Sequence, residues 1–185
     1  MYTKVIIKNK VAEIIRSGNP WIMSGAIIDM EEKIPDGSLV SVFDEMNNFV
    51  GNGYFNSRTN ISIRVISWSD EPIDKKFFVR RISTAYSLKK IIEKSDTNAY
   101  RLINGEGDLL GGLIIDKYID FFVLQISTCG IQSLQEVIIE ALKELFNPKA
   151  VIIRNDIGAR RIEGLEVPSQ PTIIALREKN SEQIK

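Results

Sequence analysis

The sequence has no histidine and a single cysteine, Cys129, among its 185 residues. A disulfide within the chain needs two cysteines, so none can form. Without imidazole, the Ser-His-Asp and Cys-His nucleophile systems are excluded, and so are the common zinc sites, which need several histidine or cysteine ligands. Any chemistry in this chain would therefore depend on carboxylates, lysine, tyrosine or a bound cofactor.

The sequence also lacks a long apolar run and a net charge. No apolar stretch approaches the roughly 18 residues needed to cross a bilayer, and the N-terminus has a lysine within its short apolar run and no small-residue cleavage site. We therefore expect a cytoplasmic protein without membrane association. The 24 basic and 24 acidic residues cancel, so RNA binding can be argued only from local patches.

The first 72 residues show the period-two alternation that is typical of half-buried strands. Around residue 63, isoleucine and valine alternate with serine and arginine, which places one face of a strand in a core. Polar turns separate the apolar runs, and Gly18 and Pro20 end one short helix. Several short strands with one helix predict a compact β-barrel-like domain. The predicted strands include residues 39–43, 49–55 and 61–65, and the predicted helix covers 11–16.

A polar stretch at 68–72 marks the predicted domain boundary, because the period of the pattern changes there. Residues 74–94 predict a helix with apolar side chains at spacings of three and four. The elements that follow alternate between strand-like and helix-like runs, so the sequence predicts an α+β fold with domains 1–72 and 73–185 and a frayed tail at 177–185. The apolar stripe of the helix is Phe78, Ile82, Ala85, Leu88 and Ile92. The later predictions are strands at 100–103, 113–116, 121–126 and 150–154 and a helix at 131–146.

One side of the predicted helix at 74–94 is strongly basic. At about 100° per residue, Lys76, Arg80, Lys90 and Lys94 fall opposite the apolar stripe. The segment has seven lysines and arginines against two acids, a local net charge of +5. This face is suited to phosphate contact, but charged faces are also the ordinary solvated side of helices. Both interpretations stay open.

Residues 105–112 form a glycine-rich loop with the sequence GEGDLLGG. A dinucleotide-binding loop leads from a strand into a helix, whereas the residues after this loop are strand-like, and Glu106 and Asp108 would repel phosphate. We therefore interpret the loop as a structural connection between strands. Cys129 has no partner motif for catalysis and is interpreted as a small residue in a helix-entry turn. The sequence predicts no catalytic residue, metal site or cofactor site.

Three segments resemble one family. Residues 18–26, GNPWIMSGA, are similar to a GHPWVFSGA-type motif, with Asn19 where histidine is common. Residues 98–118 resemble a central-domain signature, with Leu109 where glycine is usual. Residues 154–165 resemble the segment that precedes a methyltransferase domain. The family is that of the class I SAM-dependent rRNA methyltransferases with an N-terminal PUA domain, which includes the 23S rRNA cytosine-C5 methyltransferase.

The resemblance implies a PUA-like RNA-binding domain followed by a small central α+β domain, with RNA, and 23S rRNA in particular, as the partner. In the family a larger domain follows, which binds S-adenosylmethionine (SAM) and carries the catalytic cysteine, and none of its motifs occurs here. We therefore expect an RNA-binding, substrate-positioning chain that lacks the catalytic domain, is inactive alone and holds no cofactor. The expected RNA contacts are Lys10, Arg16, Ser24 and Gly25 in the first domain and Lys76, Arg80, Lys90 and Lys94 in the second.

Two other functions are also compatible with the sequence. A free-standing PUA-type RNA-binding protein is the main one, and a protein-interaction module whose basic helix meets an acidic partner is another. A homodimer is compatible with each. Polar side chains also cluster after a strand end, where function often sits, and both a surface loop and contact with RNA or with the domain that follows in the family stay open for them. These residues are Arg154, Asn155, Asp156, Arg160 and Arg161.

Overall fold

The computed structural model of the protein describes residues 2–30, 33–90 and 97–176. The first part of the chain forms a six-stranded sheet with one packed helix. The strands are β1 (Thr3–Ile7), β2 (Trp21–Met23), β3 (Ile27–Met30), β4 (Leu39–Asp44), β5 (Phe49–Phe55) and β6 (Ile61–Ser67), and the helix is α1 (Asn9–Arg16). Their order in the sheet is β2-β6-β5-β4-β1-β3.

All neighbours in the first sheet are antiparallel except β1 and β4, which are parallel. The terminal strands β2 and β3 are not neighbours, so the predicted barrel is a sheet whose two edges are not hydrogen-bonded to each other. The helix α1 buries Ala12 and Ile15 against the core. It ends at Arg16, and Gly18 in the turn that follows has a φ of +104°, a conformation that favours glycine.

The second part of the chain forms a five-stranded sheet with the order β11-β10-β9-β8-β7. Its parallel pair, β9 and β10, needs a crossover connection, which two helices supply. The strands are β7 (Ala99–Asn104), β8 (Leu113–Tyr118), β9 (Phe121–Ile126), β10 (Ala150–Ile153) and β11 (Thr172–Ala175). The helices are α2 (Lys75–Lys89), α3 (Cys129–Ser133) and α4 (Gln135–Phe146).

The helix α2 differs from the predicted helix in its end and in its buried face. Asp74 caps its first turn by accepting a hydrogen bond from the Phe77 backbone N–H at 3.0 Å. Its buried residues are Phe77, Phe78, Ile82 and Ala85, whereas Leu88 is 65% exposed, which corrects its assignment to the apolar stripe. The predicted positions of Ile92 and Lys94, and the tail at 177–185, lie outside the described residues.

The buried apolar residues that the structure describes form two hydrophobic cores. One contains apolar residues of the first sheet and α1. The other lies between the second sheet, α2 and α4, and Tyr54 and Ile66 of the first sheet also pack into it. The two halves are therefore joined by side-chain packing as well as by the chain. No helix in the described ranges is long and apolar enough to cross a membrane.

Candidate nucleic-acid interface

The RNA contacts expected in the first sheet lie at opposite ends of α1. Lys10 is exposed in the first turn of α1. Ser24 and Gly25 are also exposed and belong to a 3-10 turn. This turn lies near the start of α1, because Lys8 Nζ donates a hydrogen bond to the Gly25 carbonyl oxygen at 2.8 Å. Arg16 is the last residue of the helix, about 9 Å from Lys10 at 1.5 Å per residue. The structure thus brings Lys10, Ser24 and Gly25 toward one end and leaves Arg16 at the other.

Arg16 is held by an ion pair. Its Nη2 lies 2.9 Å from Asp44 Oδ2 and also donates to the Phe49 carbonyl oxygen at 3.3 Å. Burial by itself raises the pKa of Asp44, but hydrogen bonds from Asn48 and the pairing with Arg16 outweigh burial and lower that pKa to about 2. Arg16 therefore stabilises the first sheet in addition to contributing surface charge.

The segment that carries the basic stripe is less charged than its sequence suggests, because three of its cations pair with acids from outside it, and one of these, Arg80, belongs to the stripe. Lys76 and Lys90 are exposed and form no ion pair with a carboxylate among the described residues; the Lys90 ammonium lies 5.6 Å from the centre of the Tyr86 ring. They are the accessible cations of the stripe, and Lys94 lies outside the described residues. The ion pairs are Lys75 with Glu144, Arg80 with Glu71 and Lys89 with Asp108.

The glycine-rich loop connects the antiparallel strands β7 and β8, as the sequence predicted. Asp108 accepts hydrogen bonds from Lys89 Nζ at 2.9 Å and from the Asn104 backbone N–H at 2.7 Å. The Asp108 carboxylate therefore holds the loop to α2 and to the end of β7. Leu109 has a φ of +58°, a left-handed conformation that explains why glycine is usual there in the family that the sequence resembles. No helix N-terminus follows the loop, so it lacks the geometry of a dinucleotide site.

A buried carboxylate joins the first sheet to the segment after β10. Glu163 is 5% exposed, and its Oε1 lies 2.9 Å from Arg64 Nη2. Its Oε2 accepts hydrogen bonds from Asn56 Nδ2 at 2.6 Å and from the Cys129 backbone N–H at 3.4 Å. Sequence reasoning missed this residue, because all its partners are distant along the chain and no local pattern marks it.

Tyr54 forms a second link between the halves. Its hydroxyl donates to the Gly111 carbonyl oxygen at 2.9 Å and lies 3.0 Å from Thr128 Oγ1. Its ring lies so close to Gly130 that a Cβ there would be 1.9 Å from Tyr54 Cγ. Only glycine fits at this position, so Gly130 serves packing between the halves.

Asn155 and Arg160 bind the chain's own backbone and are buried, so these two are not exposed loop residues. Asn155 Oδ1 accepts from the Ile126 backbone N–H at 2.9 Å, and Arg160 Nη1 donates to the Ile126 carbonyl oxygen. Both residues are 5% exposed, and burial lowers the pKa of Arg160. Together they fix the end of β9. The exposed residues of the same segment, which stay candidates for contact with a partner, are Arg154, Asp156 and Arg161.

Cys129 is buried at the start of α3. Burial, together with the nearby Glu163 carboxylate, raises the pKa of its thiol to about 12. The thiol is therefore protonated at neutral pH, and a protonated thiol is a poor nucleophile. In the part of the chain that the structure describes, no group of three or more His, Cys, Asp or Glu residues is placed to hold a metal ion.

The part of the sequence that forms the first sheet matches a known family of domains. Residues 5–68 match the family model of the PUA-like domain. The chain contains a PUA-like domain. This match confirms the PUA-like part of the sequence prediction, and the helices and two sheets confirm a mixed α and β fold.

Most of the chain is also similar to curated proteins. It is 34% identical over 171 residues to the ribosomal RNA large subunit methyltransferase I of Klebsiella pneumoniae, a match that covers 91% of this chain and 42% of the relative. The protein of the same name from Erwinia tasmaniensis is 34% identical over 165 residues, with 88% of this chain and 41% of the relative covered. The chain therefore spans about two-fifths of the length of the curated relatives it matches.

The fold is also found in solved structures. A Streptococcus mutans protein described as a SAM-dependent methyltransferase superposes with a TM-score of 0.72 at 17% identity, covering 95% of this chain and 43% of that one. A second structure, of a methyltransferase-like protein in complex with SAH, gives a TM-score of 0.70 at 20% identity over 82% of this chain and 40% of that one. At these identities the similarity establishes the shared fold.

Proposed function

We propose that this chain is the RNA-binding and substrate-positioning N-terminal portion of a SAM-dependent 23S rRNA (cytosine-C5) methyltransferase-like protein. The observation that carries the proposal is the 34% identity to a large-subunit rRNA methyltransferase across 91% of the chain. The PUA-like domain at 5–68 supports it. In this proposal residues 1–72 are the PUA-like RNA-binding domain, residues 73–185 are the central domain, and the protein acts in the cytoplasm.

The proposed RNA contacts differ in accessibility. Lys10, Ser24 and Gly25 are exposed at one end of α1, and Lys76 and Lys90 are exposed on α2. Arg16 and Arg80 are already engaged with carboxylates. Lysine and arginine contacts to RNA act mainly through phosphates, so the lysines without a carboxylate partner should contribute most to affinity. The contribution of each engaged arginine should be weaker.

The chain by itself is proposed to be inactive and to bind no SAM. Its glycine-rich loop joins two antiparallel strands, and the buried Cys129 thiol is protonated because burial raises its pKa to about 12. Isothermal titration calorimetry with SAM tests this directly. Stoichiometric binding to the purified chain would contradict the proposal and make residues 105–112 a candidate cofactor site.

RNA binding is tested by fluorescence anisotropy with labelled fragments of large-subunit rRNA, using a small-subunit fragment of equal length as control. We expect tighter binding to large-subunit RNA at the same salt concentration, because affinities to nucleic acid are comparable only at equal salt. Equal affinity for both RNAs would favour a general PUA-type RNA-binding protein. The mass of the native gene product separates these two functions further, since a product much heavier than 20.9 kDa favours the methyltransferase.

A further inference from the structure

A cleft of about 450 Å³ lies beside the Arg64–Glu163 pair, where the first sheet meets the segment after β10. The turn before β6 and β6 itself form one wall, with Arg58 and Arg64. Ser127, Ile162 and Glu163 lie on the other side. A cleft of this size is within the roughly 300–1,000 Å³ that small-molecule sites occupy. Its lining combines cationic, hydroxyl and apolar groups, which is the mixture that a nucleotide requires.

Arg64 lines this cleft as one member of a buried ion pair. Its side chain is 13% exposed, and its Nη2 pairs with Glu163 Oε1. Its Nη1 is buried and has no hydrogen-bond partner among the described residues. Because Nη1 is closed to solvent as well, Arg64 contributes positive charge to the lining but no accessible donor from Nη1.

Arg58 adds a second guanidinium to the same wall. Its Nε pairs with Asp36 Oδ2 at 3.1 Å, which leaves its terminal amino groups available among the described residues. The Glu163 carboxylate, which also lines the cleft, already accepts from three donors. The lining therefore offers the accessible terminal amino groups of Arg58 beside a carboxylate that is already satisfied, and a guanidinium with free donors favours an anionic ligand such as a phosphate.

Trp21 extends the surface next to Arg64. The two residues are directly opposite in the β2–β6 pairing, so their side chains are on the same face of the sheet. Trp21 is 46% exposed, and Ile162 at the cleft is 69% exposed. Aromatic side chains beside a cationic groove are the usual platform for unpaired bases. An exposed aromatic side chain thus lies next to a residue that lines the cleft.

On the premise of the RNA-binding function above, we propose that this cleft binds one unpaired nucleotide of RNA, with its phosphate on the exposed Arg58 and its base against Trp21. The site is separate from the basic residues of α1 and α2. It predicts that the protein prefers RNA with a single-stranded segment over a continuous duplex of equal length.

The sharpest test places a negative charge in the cleft at an exposed position. Ile162→Glu should lower the affinity for a single-stranded RNA oligonucleotide at least about tenfold, because like charges oppose association. Ile173→Glu is the matched control, since Ile173 is also 69% exposed and does not line the cleft. Circular dichroism and thermal unfolding should show that both variants fold like the wild type.

A second pair of variants tests the phosphate contact. Arg58→Gln should reduce the slope of log K against log[salt] by about 0.7, the value for one single-strand phosphate contact. Arg101→Gln is its control, because Arg101 also pairs with an aspartate through Nε and lies outside the cleft. Trp21→Ala should weaken binding without changing the slope, since stacking releases no counterions.

The outcomes distinguish a failure of the cleft proposal from a failure of the proposed RNA-binding function. If the wild type binds no RNA, the proposed function fails. If it binds RNA and Ile162→Glu and Ile173→Glu bind equally, the cleft proposal alone is wrong. If cytidine monophosphate binds as tightly as the oligonucleotide, the site takes a free nucleotide and the assignment to an RNA chain is wrong.

Discussion

Arg64 and Glu163 form an ion pair at 2.9 Å with side chains only 13% and 5% exposed, at the point where the two halves of the molecule meet. A buried carboxylate is tolerated only when its charge and lone pairs are satisfied. Here a guanidinium, an amide and a backbone N–H together meet that requirement. The Glu163 side chain is therefore a main contact that holds the segment after β10 against the first sheet.

Removing this carboxylate should destabilise the protein strongly. Glu163→Ala leaves the Arg64 guanidinium largely buried without its partner, so we expect a loss of about 3–5 kcal/mol in the free energy of unfolding. Glu140→Ala removes an exposed pair with Lys143 and should cost at most about 1 kcal/mol. Urea unfolding followed by circular dichroism measures both values. Equal losses for the two variants would mean that the buried pair does not hold the halves together.

The close approach of Tyr54 and Gly130 can be tested by adding one methyl group. In Gly130→Ala the new Cβ would lie 1.9 Å from Tyr54 Cγ, so the two halves must move apart, at a cost of about 1–3 kcal/mol or more. Gly158→Ala is the control, because no atom lies within 4 Å of the added Cβ there. A Gly130→Ala protein with an unchanged melting temperature would contradict this packing.

Local patterns predicted strands in which apolar and polar residues alternate along the chain, even where a polar residue such as Ser62 is itself buried. In β6, Ile63 is buried while Arg64 faces the other way, which is why period two was visible there. The loop at 105–112 was also predicted correctly, because the strand-like residues after it exclude a strand-to-helix turn. The PUA-like domain was found through the motif at 18–26, which combines residues that no periodicity would single out.

Elements without such a pattern were missed. The strand β11 is a short edge strand with Ile173 69% exposed, so its sequence does not alternate as a half-buried strand does. Leu88 continues the helical spacing of α2 but lies in its last turn, where no described neighbour buries it. The pairing of Glu163 with Arg64 is a tertiary interaction between distant segments, and only the folded chain shows it.

The Asp44 carboxylate, which is hydrogen-bonded by Asn48 and paired with Arg16, predicts sensitivity to acid. The pKa of Asp44 is lowered from 3.8 to about 2 in the folded protein, so its ionised form stabilises the fold above pH 4, and this contribution disappears as the pH falls toward 2. Asp44→Asn should therefore be less stable than the wild type at pH 7, with a difference that shrinks below pH 4. Unfolding by urea at several pH values measures the difference.

The control for this prediction is Asp29→Asn, which removes a charge from an exposed residue of β3. Its stability relative to the wild type should change little between pH 7 and pH 3. A constant difference between Asp44→Asn and the wild type over the same range would contradict the assigned role of the Arg16–Asp44 pair.

The exposed lysines of α2 decide whether its basic stripe binds RNA. Since Lys76 and Lys90 have no carboxylate partner among the described residues, replacing both with alanine should reduce the salt slope of RNA binding by about 0.7 to 0.9 for each phosphate that the variant no longer neutralises. Lys143→Ala with Lys149→Ala removes the same charge from lysines that are already in ion pairs and should leave the slope unchanged. Equal slopes for both double variants would assign the stripe to the solvated surface. If an acidic peptide displaced RNA from the wild type but not from the Lys76 and Lys90 double variant, the stripe would instead be a protein-binding face.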